Sequence, residues 1–167
     1  MLYDAPEWAA WKAELAAGNV AACPPAKGVK LFAAATLPEV KQEEGLRQVR
    51  FILSTADVDR DRDTIAVEGW DLTHYQNNPV VLWAHRYSEP PIARAVQIVK
   101  SSTALAALDE FPAEGVYPFA DLIYGLVRDG FLRTCSVGFR PQTWVYNQER
   151  GGVDFQTQEL LEQCSAS

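Results

Sequence analysis

Arg133-Thr134-Cys135-Ser136-Val137-Gly138-Phe139 follows a helical pattern that closes on Gly130, and its alternation decides how the chain is read. As a strand it sends Cys135, Val137 and Phe139 to one face and Thr134, Ser136 and Gly138 to the other. The apolar set belongs in a core, so the small polar set faces a cleft or solvent. A serine in such a place is usually just a solvated hydroxyl. It gains weight here from a histidine upstream and a carboxylate on the last strand.

Working outward, Phe119, Leu122, Ile123, Leu126 and Val127 recur at helical spacing, with Pro118 in the first turn, Arg128 in the last and Gly130 as the stop. Downstream, Trp144 to Tyr146 extends the serine strand or starts another. Glu149-Arg150-Gly151-Gly152 reads as a hairpin turn and Phe155 to Ala166 as a final strand. Upstream, strands are expected over Val29 to Ala35, Arg47 to Ser54, Val80 to Ala84, Ile92 to Val99 and, weakened by its alanines, Ser102 to Leu108. In Arg47 to Ser54, Val49, Phe51 and Leu53 share a face. Pro38 to Gly45 is polar and reads as a loop. Asp4 to Ala17 reads as a helix, with Asp4 and Glu7 spaced as a capping box, Trp8, Trp11 and Leu15 on one stripe and Gly18 ending it. It could dock on the body or bind a partner; an apolar stripe usually marks simple burial, which favours docking. The pattern gives an N-terminal helix and linker over 1–28, with Pro24-Pro25 in the linker, and one domain over 29–167. Many strands with two helices predict an α+β domain, mainly β.

The 167 residues suffice for one domain with a core. A hydrophobic content of 48% and a charged content of 22% fit an ordinary globule. The net charge of −7 argues against direct binding to nucleic acid, which needs a basic surface. No apolar run is long enough for a membrane span, and Met1-Leu2-Tyr3-Asp4 lacks the features of a signal peptide. Three widely spaced cysteines, Cys23, Cys135 and Cys164, favour free thiols in a reducing compartment. These features predict a cytoplasmic protein without a membrane partner.

Asp57, Asp59, Asp61, Asp63 and Glu68 stand where a calcium loop would place ligands, but Arg62 replaces the glycine on which the turn of that motif depends. The run is read as a charged loop whose aspartates bond nearby backbone. No other group has metal-ligand spacing, and no cofactor is expected.

A serine nucleophile needs a base within reach, and the base needs a group that holds its tautomer. His74 lies in a polar segment that reads as surface. His85 ends the buried run from Pro79 to Ala84, a rigid position that still reaches a cleft, although on sequence alone a satisfied structural histidine is the better-supported reading of it. Cys135 could replace Ser136 as nucleophile, but its apolar face suits an inert buried thiol. For the third member Glu159 and Glu162 compete. On a regular strand they occupy opposite faces, Glu162 with Leu160 and Cys164, Glu159 with Leu161 and Gln163. The first face is the more apolar, and a buried carboxylate there needs a cationic partner such as an imidazole, which favours Glu162.

Asp57-Val58-Asp59-Arg60-Asp61, Gly69-Trp70-Asp71-Leu72, Asn78 to His85, Pro90-Pro91-Ile92, Ser136-Val137-Gly138-Phe139-Arg140-Pro141 and Glu159-Leu160-Leu161-Glu162 occur in that order. Together they resemble the prohead (procapsid maturation) serine proteases of tailed phages, from about Arg47 to Glu162. The resemblance implies a herpesvirus-protease-like β-barrel with surrounding helices. It implies an endopeptidase that trims the scaffold region of the major capsid protein, and itself, inside the immature capsid in the bacterial cytoplasm. A homodimer would follow from the dimeric herpesvirus relatives. The serine carries over to Ser136, the histidine to His85 and the third member, a histidine in those relatives, to Glu162. Two departures stand out. Arg62 replaces a common glycine, so the acidic loop is expected to be shaped differently. The family usually continues into a Val-Pro-Ala-Asn-Pro-like segment, so the C-terminal end reads as truncated. In the herpesvirus relatives the loop after this strand helps form the oxyanion hole, where one lost donor costs about a hundredfold to a thousandfold in rate. The rival readings are an inactive capsid-assembly or scaffold-binding domain of the same fold, and an intracellular serine hydrolase of small esters. Without a Gly-x-Ser-x-Gly elbow or alternating βα pattern, an α/β-hydrolase is disfavoured.

Overall fold

A computed structural model describes residues 6–25, 28–33, 39–41 and 46–166, with the side chains of 28–33, 39–41 and 166 left aside. Helix α1 spans Pro6–Ala16 and α2 spans Pro118–Arg128. The strands are β1 (Gly28–Ala33), β2 (Glu39–Lys41), β3 (Gln48–Thr55), β4 (Thr64–Ile65), β5 (Trp70–Asp71), β6 (Val80–Trp83), β7 (Ala93–Lys100), β8 (Ala104–Glu110), β9 (Thr134–Asn147) and β10 (Gly152–Ala166). They form one ten-stranded sheet in the order β1-β9-β10-β6-β7-β8-β3-β2, with β4 and β5 added alongside β10. The sheet curls until β3 approaches β9, where Cys135 Sγ lies 2.8 Å from the Ile52 carbonyl oxygen. The protein is thus mainly β with a nearly closed, barrel-like sheet, as the expected α+β class required.

Residues of alternating strands fill the barrel: Val49, Phe51 and Leu53 from β3, Cys135, Val137 and Phe139 from β9, and Val153, Phe155 and Leu160 from β10 are all buried. Helix α1 closes one side. Trp8 packs edge-on to Trp11 with centroids 5.2 Å apart and reaches Phe139 and Phe155, while Trp11 meets Trp144 at 5.4 Å. Such aromatic pairs add about 0.5–1.5 kcal/mol each beyond their buried area. The stripe of Trp8, Trp11 and Leu15 therefore docks on the body, and Gly18, at φ 92°, ends the helix as expected. Asp4, the expected cap, lies outside the described residues.

Two local expectations differ from the structure. Within the stretch read as a loop, Glu39–Lys41 forms β2, where Val40 pairs with Val49; a three-residue edge strand is too short to show a period. Leu122, placed on the apolar stripe of α2, is 56% exposed, because the buried line runs through Ala120, Ile123 and Val127. Arg62, at φ 63°, adopts the left-handed conformation that glycine favours. There Asp59 Oδ1 accepts from the Asp61 and Asp63 amides at 2.8 and 2.9 Å, the local bonding expected of the run. Asp63 is fully buried and meets Lys12 Nζ of α1 at 2.8 Å and the Val153 amide at 2.9 Å.

Two close approaches pin β10. A Cβ at Gly69 would stand 1.8 Å from the Gln156 carbonyl oxygen, and one at Gly152 would stand 1.7 Å from that of Arg62. Both contacts are with backbone, which has no rotamer to yield. Gly69→Ala is expected to destabilise the protein by about 2–4 kcal/mol, at the upper end of overpacking costs, read as a lower urea midpoint. Lys12→Ala should cost about 2 kcal/mol by stranding the buried Asp63 carboxylate, and Lys12→Ala/Asp63→Asn should recover part of it.

Candidate active site

β9 and β10 form a long antiparallel ladder in which Ser136 lies opposite Cys164 and Gly138 opposite Glu162. Opposed residues share a face. Glu162 and Cys164 therefore stand on the Ser136 face, and Gly138 presents no side chain to compete with the carboxylate. The structure brings Glu162 to the Ser136 face, but the regular-strand argument that favoured it does not hold. Leu160 pairs with Phe139 and Glu162 with Gly138, so Leu161 is the extra residue of a bulge. That residue moves Leu160 to the core face and leaves Glu159, opposite Arg140, on the same face as Glu162. Glu159 is taken up by Arg140 Nη1 at 3.2 Å near the surface. His74, the other histidine, is exposed, as its polar segment led one to expect.

β6 lies on the far side of β10 and runs parallel to it, with Leu82 opposite Cys164 and Trp83 opposite Ser165. Beyond Trp83 the chain turns sharply. The Ala84 amide bonds the Ser165 carbonyl oxygen at 3.1 Å and the Arg86 amide closes on that of Trp83 at 3.0 Å. Both central residues of the turn, Ala84 (φ 47°) and His85 (φ 58°), are left-handed. Neither is a glycine or asparagine, so the turn is strained, and its two hydrogen bonds hold it. It folds the imidazole back across β10. From outside, Trp83 packs edge-on to Phe119 of α2 with centroids 5.8 Å apart.

Three side chains then meet in line. Ser136 Oγ is 2.8 Å from His85 Nε2, and His85 Nδ1 is 2.5 Å from Glu162 Oε1. Ser136 is 2% exposed and Glu162 3%, while the His85 side chain keeps 15%. The serine is thus covered by the imidazole rather than open to solvent. An ionised Glu162 only accepts, so Nδ1 carries the proton and donates it. Nε2 keeps a lone pair that accepts from Ser136 Oγ–H. This is the arrangement that lets an imidazole take a hydroxyl proton as the oxygen attacks. Cys135 sits on the opposite face, and burial pushes its thiol pKa up, which suits an inert core residue.

Sequence reasoning passed over the buried polar network beneath the site. Gln163, opposite Val137, points inward; its Nε2 donates to Asp109 Oδ2, and Tyr75 Oη donates to the Val80 carbonyl oxygen at 3.0 Å. Asp109 is fully buried, and desolvation raises its carboxyl pKa to about 8. The expected strand stopped at Leu108, one residue short of it. Cys164 also approaches Nδ1, at 3.0 Å.

Comparison with known proteins bears on this geometry. No family model matches the chain. The chain is 29% identical over 104 residues to the prohead protease of Escherichia phage T5, a match covering 60% of this chain and 47% of that protein. The chain thus matches about half the length of that curated relative. The structure superposes on the capsid assembly protease gp21 of bacteriophage T4 with a TM-score of 0.62 and 11% identity, covering 84% of this chain and 96% of that one. The chain resembles the tailed-phage prohead proteases. Its likeness to the T4 protein is one of fold. In this chain the barrel carries Ser136 on β9, His85 on the turn after β6 and Glu162 on β10.

Asp109 generates a pH prediction. Its carboxyl holds its proton to about 8 in the folded state, against an ordinary value of 3.8. Between those values the unfolded chain has lost the proton and the folded chain keeps it. Stability therefore falls as pH rises from 3.8 towards about 8 and levels off above. Asp109→Asn removes this contribution, so its urea midpoint should decline less over that interval than the parent's.

Proposed function

We propose that this protein is a serine endopeptidase of phage prohead maturation, with the scaffold region of the major capsid protein as substrate. The observation that carries the reading is the in-line Ser136–His85–Glu162 set on the capsid-protease barrel. Ser136 Oγ attacks the scissile carbonyl carbon while His85 Nε2 takes its proton. Glu162 holds Nδ1 and offsets the imidazolium charge. The imidazolium then protonates the leaving amine, and water repeats the sequence on the acyl-enzyme. Burial strengthens the Glu162–imidazolium attraction, because little water screens it. Cleavage would occur inside the immature capsid in the bacterial cytoplasm, and would include the protease itself. Among the described residues no helix is long and apolar enough to cross a membrane.

Co-expression with the major capsid protein encoded beside this chain, followed by intact mass, tests the reading. A serine-dependent mass loss from the N-terminal region of the capsid protein is expected. Equal cleavage by Ser136→Ala, or none by the parent, would overturn it. Ser136→Ala should lower cleavage by about 10⁴-fold or more, as removal of a triad nucleophile does. The fold should stay intact, since one small oxygen is lost. Glu162→Gln should be milder than His85→Ala yet still large, and a greater loss in Glu159→Gln would move the third role to Glu159.

A further inference from the structure

We infer that His85, Glu162 and Cys164 form a binding site for a thiophilic divalent cation of the Zn²⁺ type, and that the bound ion switches off the serine. This regulation rests on the protease reading; the binding itself does not. Cys164 precedes no helix and lies two residues beyond Glu162 on β10, on the same face. The structure brings one nitrogen, one oxygen and one sulfur ligand atom within 4.8 Å of one another: His85 Nδ1, a Glu162 carboxylate oxygen and Cys164 Sγ. Nδ1 stands 2.5 Å from Glu162 Oε1 and 3.0 Å from Sγ. Zinc bonds imidazole nitrogen and carboxylate oxygen at about 2.0–2.2 Å and thiolate at about 2.3 Å, which sets tetrahedral ligand atoms roughly 3.3–3.6 Å apart. Nδ1 therefore needs to part from each of the other two atoms by less than about 1 Å. The His85 turn offers a way in, since Ala84 and Arg86 on either side of it are exposed. Three protein ligands leave a fourth position for water.

Proton accounting links binding to function. The ion replaces the Nδ1 proton, and the Cys164 thiol must ionise to bind. The ring proton reappears on Nε2 and the thiol proton goes to solvent, so one proton is released per ion. Nε2 then carries a hydrogen aimed at Ser136 Oγ and has no lone pair with which to accept. The same hydrogen-bonded pair persists with donor and acceptor exchanged, and the base is lost. Sequence spacing could not show this site, because His85 and Glu162 are 77 positions apart.

Other clusters are weaker. In the Asp59, Asp61 and Asp63 group, Asp63 is already engaged by Lys12. Cys135 and Cys164 stand on opposite faces of the sheet and cannot be bridged.

The test uses the full chain with Cys23→Ser, which removes the exposed thiol. Co²⁺ and Zn²⁺ are titrated in, with the Co²⁺ thiolate charge-transfer band and X-ray absorption as direct readouts. One ion per chain is expected, in a shell of one sulfur and otherwise nitrogen and oxygen, with a thiolate band. Cys164→Ala should abolish the band, and His85→Ala should weaken binding by more than about tenfold, the scale on which metal sites answer to lost support. Ca²⁺ should not compete. A shell without sulfur, or affinity unchanged in Cys164→Ala and His85→Ala, overturns the site. Because the X-ray shell is read on a protein with the whole cluster intact, a misfolded variant does not leave the question open. In the cleavage assay, zinc should inhibit reversibly and release by a chelator should restore the rate; a zinc-loaded chain that cleaves at full rate overturns the switch. A chain that binds zinc as described but never cleaves refutes the protease reading and leaves the site standing.

Discussion

A carboxylate buried on a sheet face is the constraint around which the rest of the structure is arranged. Glu162 is 3% exposed, and an ion taken that far from water costs several kcal/mol unless a hydrogen-bonded partner answers it. The His85 ring gives that answer at 2.5 Å. Everything that fixes the two groups relative to each other is then under load: the bulge at Leu161 that turns Glu162 to the right face, the bare Gly138 opposite it, and the turn that brings the ring across β10. The Ala84–His85 turn holds two residues in a conformation their side chains disfavour. The sheet stores this strain beside the ring that answers the Glu162 carboxylate.

The outer parts of the fold support the same few strands. α1 locks onto β9 and β10 through tryptophans and reaches the acidic loop through Lys12. α2 leans on Trp83, the last residue before the His85 turn. Beneath, Asp109, whose carboxyl burial holds protonated well above the ordinary carboxylate range, and Gln163 fill the barrel at the level of Glu162. The helices and the buried network thus act on the geometry of three side chains that lie on three separate elements.

Much of this was legible in the residues, and the gaps have physical causes. Period-two alternation exposed β3 and the inward set of β9, and proline and glycine punctuation marked α2. The same alternation failed at Glu162, because a bulge inserts one residue and reverses every face beyond it while leaving no compositional mark. It failed again at Arg62, Ala84 and His85, where tertiary hydrogen bonds impose left-handed backbone on residues that advertise no such preference. Leu122 misled because the stripe on α2 was drawn one residue too wide. Ser136, His85 and Glu162 could be named individually, whereas their meeting point depends on the parallel pairing of β6 with β10, which no local pattern encodes.

That pairing has a consequence for the timing of synthesis. Ser136 and His85 are 51 positions apart and His85 and Glu162 77, and β10, which carries the last of them, is also the strand that β6 and β9 lie against. A growing chain that has already delivered His85 and Ser136 has neither the carboxylate nor the surface on which the two can meet. Such distant contacts form late, because closing long loops costs entropy before anything is gained. The order of synthesis thus places the meeting of these three side chains after β10 has been made, whatever the order in which the rest of the barrel closes.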